Sequence, residues 1–253
     1  MRFEIVTLFP EMIRACLGYG VIGRALTRGV VQVGTEDPRT YATDLHRTVD
    51  DRPYGGGPGM VMKPGPLSQA IRAAAGRAPP GSPVIALGAR GMPFDHAAAT
   101  RLAAGPGIVL VAGRYEGIDQ RVLDGLVDEE LSIGDYVLSG GELPALVVLD
   151  AVARLLPGVL GDETSSQQES FADGLLEGPQ YTRPEEWEGR KVPAVLQGGD
   201  HAAVRRWRLQ QALGLTWLRR PELLEHRALT GEERKLLEDF CAEAGVEPPE
   251  RTV

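Results

Sequence analysis

The alternation of short apolar runs with helix-length segments constrains this chain more than any other feature. FEIVTLF (3–9), VVQVG (30–34), VIAL (84–87) and GIVLVAG (107–113) are β-branched or apolar stretches bounded by Gly, Pro or Asp, the pattern of strands buried in a sheet. PLSQAIRAAAG (66–76), HAAATRLAAG (96–105) and LPALVVLDAVARLLPG (143–158) have the length and residue types of helices, and each ends at or near Gly or Pro. Strands alternating with helices imply an α/β architecture, a mostly parallel sheet covered by helices on both faces. Such sheets bind ligands beyond the carboxyl ends of their strands. The loops after Leu87, Gly113 and Ile133 are therefore the first places to seek a site.

The alternation stops near residue 160. GDETSSQQESFA (161–172) is polar, rich in Ser, Gln and acid, and reads as a linker. Beyond it DGLLEGPQYTRPEEW is loop-like, and helical segments begin at His201 and at Thr230, whose Thr-Gly-Glu-Glu start supplies an N-cap. A second, small, helical domain is expected, with a frayed EPPERTV end. A length of 253 residues accommodates one medium domain and one small one.

With 43% hydrophobic and 25% charged residues the composition is that of a soluble globular protein. No apolar run approaches the roughly 18 residues of a membrane span, and MRFEIVTLFPEM lacks a basic start followed by an apolar stretch. Neither membrane insertion nor secretion is expected. Cys16 and Cys241 form no motif and no zinc spacing, which fits a reduced, cytoplasmic setting without a structural metal. The net charge of −8 argues against nucleic acid, since Lys and Arg supply most non-specific affinity for phosphate. The distribution argues otherwise. HAAVRRWRLQQALGLTWLRRP (201–221) holds Arg205, Arg206, Arg208, Arg219 and Arg220 and no acid, a local basic patch on an acidic chain. Arg205 and Arg208 share a helix face, while Trp207 reads as packing.

Three glycine-rich stretches follow strand-like or loop-like segments: RPYGGGPGM (52–60), GRYEGID (113–119) and SIGDYVLSGGELP (132–144). Glycine allows positive φ and lets a ligand approach bare amides, although each stretch alone is more readily a turn. None carries the G-x-G-x-x-G dinucleotide fingerprint, and no G-x-x-x-x-G-K-[ST] exists, so NAD and ATP readings lose support.

GRYEGIDQRV, SIGDYVLSGGELPALVVLDAVARLLPGVLG, SFADGLLEGPQYTRPEEWEGRKVPAVL and RRWRLQQALGLTWLRRPELL together resemble the TrmD family, bacterial tRNA (guanine-N1)-methyltransferases. The resemblance runs from MRFEIVTLFPEM to the final helix, and long ordered blocks are far more specific than any short motif. It implies a SPOUT-class catalytic and cofactor-binding domain with a deep trefoil knot over 1–160. A flexible linker over 161–173 and a helical tRNA-binding domain over 174–253 would complete the chain, assembled as an antiparallel homodimer with active sites at the subunit interface. The implied activity is methyl transfer from S-adenosylmethionine to N1 of the guanosine immediately 3′ of the anticodon, with the tRNA anticodon stem-loop as partner. Magnesium dependence is also implied, while no ligand constellation in the sequence identifies a metal site. The knot rests on the resemblance alone, because general rules of chain topology lead to an ordinary open sheet.

Guanine N1 carries a proton and is a poor nucleophile until it leaves, so the reaction needs a general base and a cation for charge building on O6. The resemblance puts the cation at Arg154, after GGELPA. By itself that residue would be a helix C-terminal cation worth about 0.3–1 kcal/mol. The family aspartate that precedes Ser-Phe is Glu169 here (QQESFADG), one methylene longer, and a misplacement of about 1 Å can cost as much as 10²-fold. Asp173 is the alternative base, and Glu177 matches an acidic family position. The implied cofactor cleft comprises Leu87, Gly113, Tyr115, Glu116, Gly117, Ser132, Ile133, Gly134, Asp135, Tyr136, Val137, Leu138, Gly140, Gly141 and Pro144. Glu116 would face the cationic part of a bent S-adenosylmethionine; taken alone it is a loop carboxylate. LGARG (87–91) departs from the family's Ser-Pro-Gln-Gly, and RPYGGGPGM is expected on the RNA-facing side. Two competing readings remain: a knotted methyltransferase acting on ribose or ribosomal RNA, and a non-catalytic tRNA-binding module of the same fold. SFADGLLEGPQYTRPE favours the guanine-N1 branch, and Arg154 with a carboxylate at 169 disfavours the module.

Overall fold

Ile108 and Leu110 point to one side of their strand and Val109 and Val111 to the other, and none of the four has measurable exposure. Successive strand side chains alternate between faces, so this strand lies in a sheet covered on both sides. A computed structural model describes residues 1–161, 169–225 and 227–248, and the chain divides into two units, Met1–Glu163 and Thr164–Val253. Most of the expected linker, residues 162–168, and the final residues 249–253 lie outside the described residues.

The first unit contains β1 (Arg2–Val6), α1 (Pro10–Leu17), α2 (Gly20–Thr27), β2 (Gln32–Glu36), β3 (Asp50–Asp51), β4 (Val61–Met62) and α3 (Pro64–Arg77). β5 (Val84–Pro93), α4 (His96–Ala103), β6 (Gly107–Ala112), α5 (Gln120–Leu126), β7 (Glu129–Ser132) and α6 (Glu142–Arg154) follow. The five-stranded sheet runs β2-β1-β6-β5-β7, and every pairing in it is parallel. Phe3, Ile5, Ile85, Ile108 and Leu110 pack with α1, α2, α4 and α6 through Ile13, Ile22, Leu102 and Leu149. Val6, Val84, Val109 and Val111 pack with α3 and α5 through Leu67, Ile71 and Val122. Each such side chain contributes about 1.5–3 kcal/mol when fully buried. Glu4 also enters the second face with no exposure, where Arg2 and Arg77 bind its carboxylate at 2.6 and 2.7 Å.

This layering places a crevice. The connection from β5 to β6 runs through α4 on one face, and that from β6 to β7 through α5 on the other. The chain therefore leaves the neighbouring ends of β5 and β6 in opposite directions, the switch-point arrangement at which open parallel sheets bind ligands. β5 differs from the expected strand, which stopped at Leu87. Leu87 and Met92 both pair with Leu131, so Gly88–Gly91 are extruded between them and the strand then resumes. Ala89 and Arg90, flanked by glycines, offer no large apolar side chain to hold this stretch in the sheet.

In the second unit the described elements are a short hairpin, β8 (Glu186–Trp187) with β9 (Arg190–Lys191), a 3-10 turn at Ala194–Leu196, and the helices α7 (His201–Arg219), α8 (Glu222–Glu225) and α9 (Gly231–Ala244). Leu175, Leu213, Leu236, Leu237, Phe240 and Cys241 form its core. Thr230 caps α9 as expected, its hydroxyl accepting from the Glu233 amide at 3.2 Å while the Glu233 carboxylate accepts from the Thr230 amide at 2.8 Å. The basic run lies on α7 and the residue after it. It is less isolated in space than in sequence: Arg206 pairs with Glu232 at 3.1 Å and Arg220 pairs with Glu222.

Candidate active site

Beyond the carboxyl ends of β5, β6 and β7 lies a cavity of about 370 Å³, within the range typical of small-molecule sites. Leu87 to Arg90, Gly113 to Ile118 and Ser132 to Gly134 contribute to its wall, as do Tyr136 to Gly141 and Pro144. The three loops singled out from the strand pattern thus meet in one place. Of the expected cleft residues, Leu87, Gly113, Tyr115, Glu116, Gly117, Ser132, Ile133, Gly134, Tyr136, Val137, Leu138, Gly140, Gly141 and Pro144 line it; Asp135, with an exposed side chain, does not. Leu87, Ile118, Leu131, Ile133 and Leu138 give apolar walls, and the glycines leave backbone amides and carbonyls open to an occupant.

Close approach holds the second and third loops together. Gly141 donates its amide to the Gly113 carbonyl at 2.9 Å, and a Cβ at Gly141 would come 2.6 Å from the Ala112 Cα. Arg114 pairs with Gly140 in an isolated antiparallel bridge, and a Cβ at Gly140 would strike the Arg114 guanidinium. That guanidinium anchors the wall. Its Nε donates to Glu142 Oε2 at 2.8 Å and its Nη1 to the Ser139 carbonyl at 2.9 Å, while its centre lies 4.4 Å from the Phe9 ring centroid. Glu142, 1% exposed, accepts through its other oxygen from the Thr7 hydroxyl at 2.8 Å. A buried carboxylate is tolerated only when paired and hydrogen-bonded, and this one is both.

Residue-by-residue reading missed Arg114, Glu142 and Thr7 as site residues. Glu142, an acid opening a largely apolar helix, was the available signal.

Tyr115 sits at φ 61, a conformation that costs a non-glycine residue about 1–3 kcal/mol and persists only where its surroundings impose it. Burial, together with the Asp50 carboxylate that it hydrogen-bonds, pushes its phenol above the ordinary range. Glu116 donates its amide to the Met60 carbonyl at 2.9 Å, and its side chain lies against Gly59. This places the end of RPYGGGPGM beside the cavity, although none of residues 52–60 contributes to its wall.

Arg154, half-buried, is the last residue of α6 in the first unit. Glu169, also half-buried, belongs to the second unit, where it lines a cavity of about 290 Å³ with Asp173, Glu177, Arg205 and Arg208. The turn bearing Glu169 is held from several sides. Leu175 is buried in the core, the Leu176 amide donates to the Thr216 hydroxyl at 2.8 Å, the Glu177 amide donates to the Ser170 hydroxyl at 2.9 Å, and Arg227 donates to the Asp173 carbonyl. The Asp173 carboxylate accepts from the Leu175 amide at 3.2 Å and that of Glu177 from the Gln180 side-chain amide. Trp207 lies against Tyr181 with ring centroids 6.3 Å apart, the packing role expected of it. Among the described residues no three His, Cys, Asp or Glu side chains converge as a metal site would require, so no magnesium site follows from the residues present.

Comparison with known proteins converges on one family. The sequence model described as tRNA (Guanine-1)-methyltransferase TrmD matches residues 1–226. The chain is 63% identical over 243 residues to a tRNA (guanine-N(1)-)-methyltransferase of Methylococcus capsulatus, an alignment covering 96% of this chain and 97% of that protein. Proteins with the same description from Salmonella paratyphi A and from Enterobacter sp. (strain 638) are each 58% identical, over 96% of this chain and 95% of theirs. With matches of this extent and identity, the chain belongs to the TrmD family of tRNA (guanine-1)-methyltransferases.

Proposed function

We propose that this chain transfers the methyl group of S-adenosylmethionine to N1 of the tRNA guanosine immediately 3′ of the anticodon. The observation that carries the reading is the switch-point cavity walled by three glycine-rich loops, in a chain of this family. When bound, S-adenosylmethionine supplies a sulfonium-activated methyl group. The backbone of Leu87, Gly113, Ile133 and Leu138 would read the cofactor's adenine, with Pro144 closing the cleft and the Glu116 carboxylate facing the sulfonium. Glu169 takes the proton from N1 and the Arg154 guanidinium stabilises negative charge on O6. Asp173, which does not occupy the position before Ser-Phe, ranks behind Glu169 as base.

The same reading assigns 1–160 to catalysis and cofactor binding, 161–173 to a linker and 174–253 to tRNA. The chain's division between Glu163 and Thr164 and the arginines of α7 support that assignment. The trefoil knot of the SPOUT class also belongs to it, in keeping with the Arg114–Gly140 bridge and the hydrogen bond from Gly141 to Gly113 that bring the two loops into contact. Exposed Val137 and Leu138 on the cavity wall, with exposed Leu143 and Val147 one turn apart on α6, support a homodimer that covers them and shares the site between subunits. The enzyme would act in the cytoplasm, on the anticodon stem-loop.

Steady-state kinetics of Glu169→Ala and Asp173→Ala test the assignment. We expect Glu169→Ala to remove most turnover while cofactor affinity stays near wild type, and Asp173→Ala to do much less; the reverse ranking would move the base to Asp173.

A further inference from the structure

The second unit contains another cavity, of about 340 Å³, lined in part by Tyr181, Arg183, Glu185, Gln197, Val204 and Arg208. Nothing in the methyl-transfer chemistry uses it. Val204 and Arg208 are one turn apart on α7, so they share a face, and Arg208, Pro179 and Gln180 also line the cavity that holds Glu169. The two cavities are neighbours across that common wall.

We propose that this cavity is a subsite for an unpaired base of the bound RNA, whose backbone phosphate lies on Arg208. The inference rests on the tRNA substrate proposed above and extends it to a second point of recognition. Its physical basis is fourfold. First, Val192, Leu196 and Val204 give an apolar floor, and Tyr181, itself braced by Trp207, gives an aromatic wall on which a base stacks.

Second, the polar groups suit a base edge. The Gln197 amide nitrogen donates to the Val192 carbonyl at 3.1 Å and that of Gln180 to Glu177, while neither amide oxygen accepts a hydrogen bond among the described residues. With the Glu185 carboxylate, these oxygens are acceptors matched to ring N–H and amino donors.

Third, Arg183, Arg205 and Arg208 make no ion pair among the described residues, although Arg206 and Arg220 on the same segment do. Unpaired among the described residues and set around two adjoining cavities, they suit a phosphate chain passing from one to the other. Fourth, the volume lies in the range of small-molecule sites, too small for a folded partner and ample for a base.

The test uses the full chain and tRNA transcripts carrying 2-aminopurine singly at each unpaired position of the anticodon loop. One position should change fluorescence on binding wild type and fail to do so with Val204→Trp, which fills the cavity. Base stacking worth about 1–3 kcal/mol predicts a loss of roughly 5- to 150-fold in tRNA affinity for that variant, with cofactor affinity unchanged. Gln197→Ala, a change too small to threaten folding, should weaken binding less and at the same position. Affinity within twofold of wild type in both variants, or the same fluorescence response at every position in all three proteins, would overturn the proposal. Neither readout requires methyl transfer. Failure of the proposed activity would instead appear as a wild-type protein that binds tRNA and methylates nothing.

Discussion

Replacing Arg114 by methionine removes three interactions at once: the 2.8 Å ion pair with Glu142, the 2.9 Å hydrogen bond to the Ser139 carbonyl, and the cation–π contact with Phe9. What remains matters more than what is lost. Glu142, 1% exposed, would keep only the Thr7 hydroxyl, and breaking a buried pair by deleting one partner typically costs about 3–5 kcal/mol. Arg114 borders the cavity and its side chain is 19% exposed, so water can reach part of the vacated space. A loss near the lower end, about 3 kcal/mol, is therefore expected, large against the 5–15 kcal/mol that holds a typical domain. Because Arg114 ties the Gly113 and Gly140 loops together, cofactor affinity should fall at least tenfold, or about 1.4 kcal/mol. Urea unfolding and calorimetric cofactor titration of Arg114→Met, Glu142→Gln and the double variant measure both quantities. The double variant should be more stable than the sum of the single losses predicts, since the orphaned charge disappears with its partner. Strict additivity, a loss below 1 kcal/mol in Arg114→Met, or unchanged cofactor affinity would refute the anchoring role.

Gly214→Ala on α7 pits two effects against each other. Alanine gains roughly 0.5–1 kcal/mol in a helix interior, but its Cβ would lie 2.1 Å from the Phe240 ring, and overpacking costs about 1–3 kcal/mol; a lower melting temperature is expected, and an equal or higher one would mean that the core is looser than described. At Glu233 burial raises the carboxyl pKa, but the Arg227 guanidinium and Thr230 outweigh it and leave the pKa below the usual value. Its contribution is thus present above the unfolded value of about 4.3 and lost as pH falls through the lower folded value. The stability gap between wild type and Glu233→Gln should accordingly be wider at pH 6 than at pH 3, and a gap that does not narrow would contradict that sign.

β6 was readable because a strand buried on both faces is a continuous apolar run, and GIVLVA is buried at every position. β7 was not read as a strand: Glu129 and Glu130 open it, and an edge strand tolerates acids that a central one does not. The eight-residue helices α1 and α2 carry too few turns for their period to stand out. The strand ends and glycine-rich loops point to the place of the cavity, while the individual cleft residues come from the family resemblance. Which side chains of a loop face inward is a matter of its path, and Asp135 turns away between neighbours that do not. The Arg114–Glu142 pair was out of reach, because its members are separated by 28 residues and only the crossing of two loops joins them. The same holds for the ion pairs of Arg206 and Arg220: a segment without acids can still find them on the helices that follow.

The central claim, methylation of guanine N1 beside the anticodon, is tested most directly by incubating the pure protein with labelled S-adenosylmethionine and two tRNA transcripts. They differ only in bearing guanosine or adenosine immediately 3′ of the anticodon. The account predicts label in the guanosine transcript alone, recovered as 1-methylguanosine after digestion. Label in both transcripts, in neither, or on a ribose hydroxyl would contradict it.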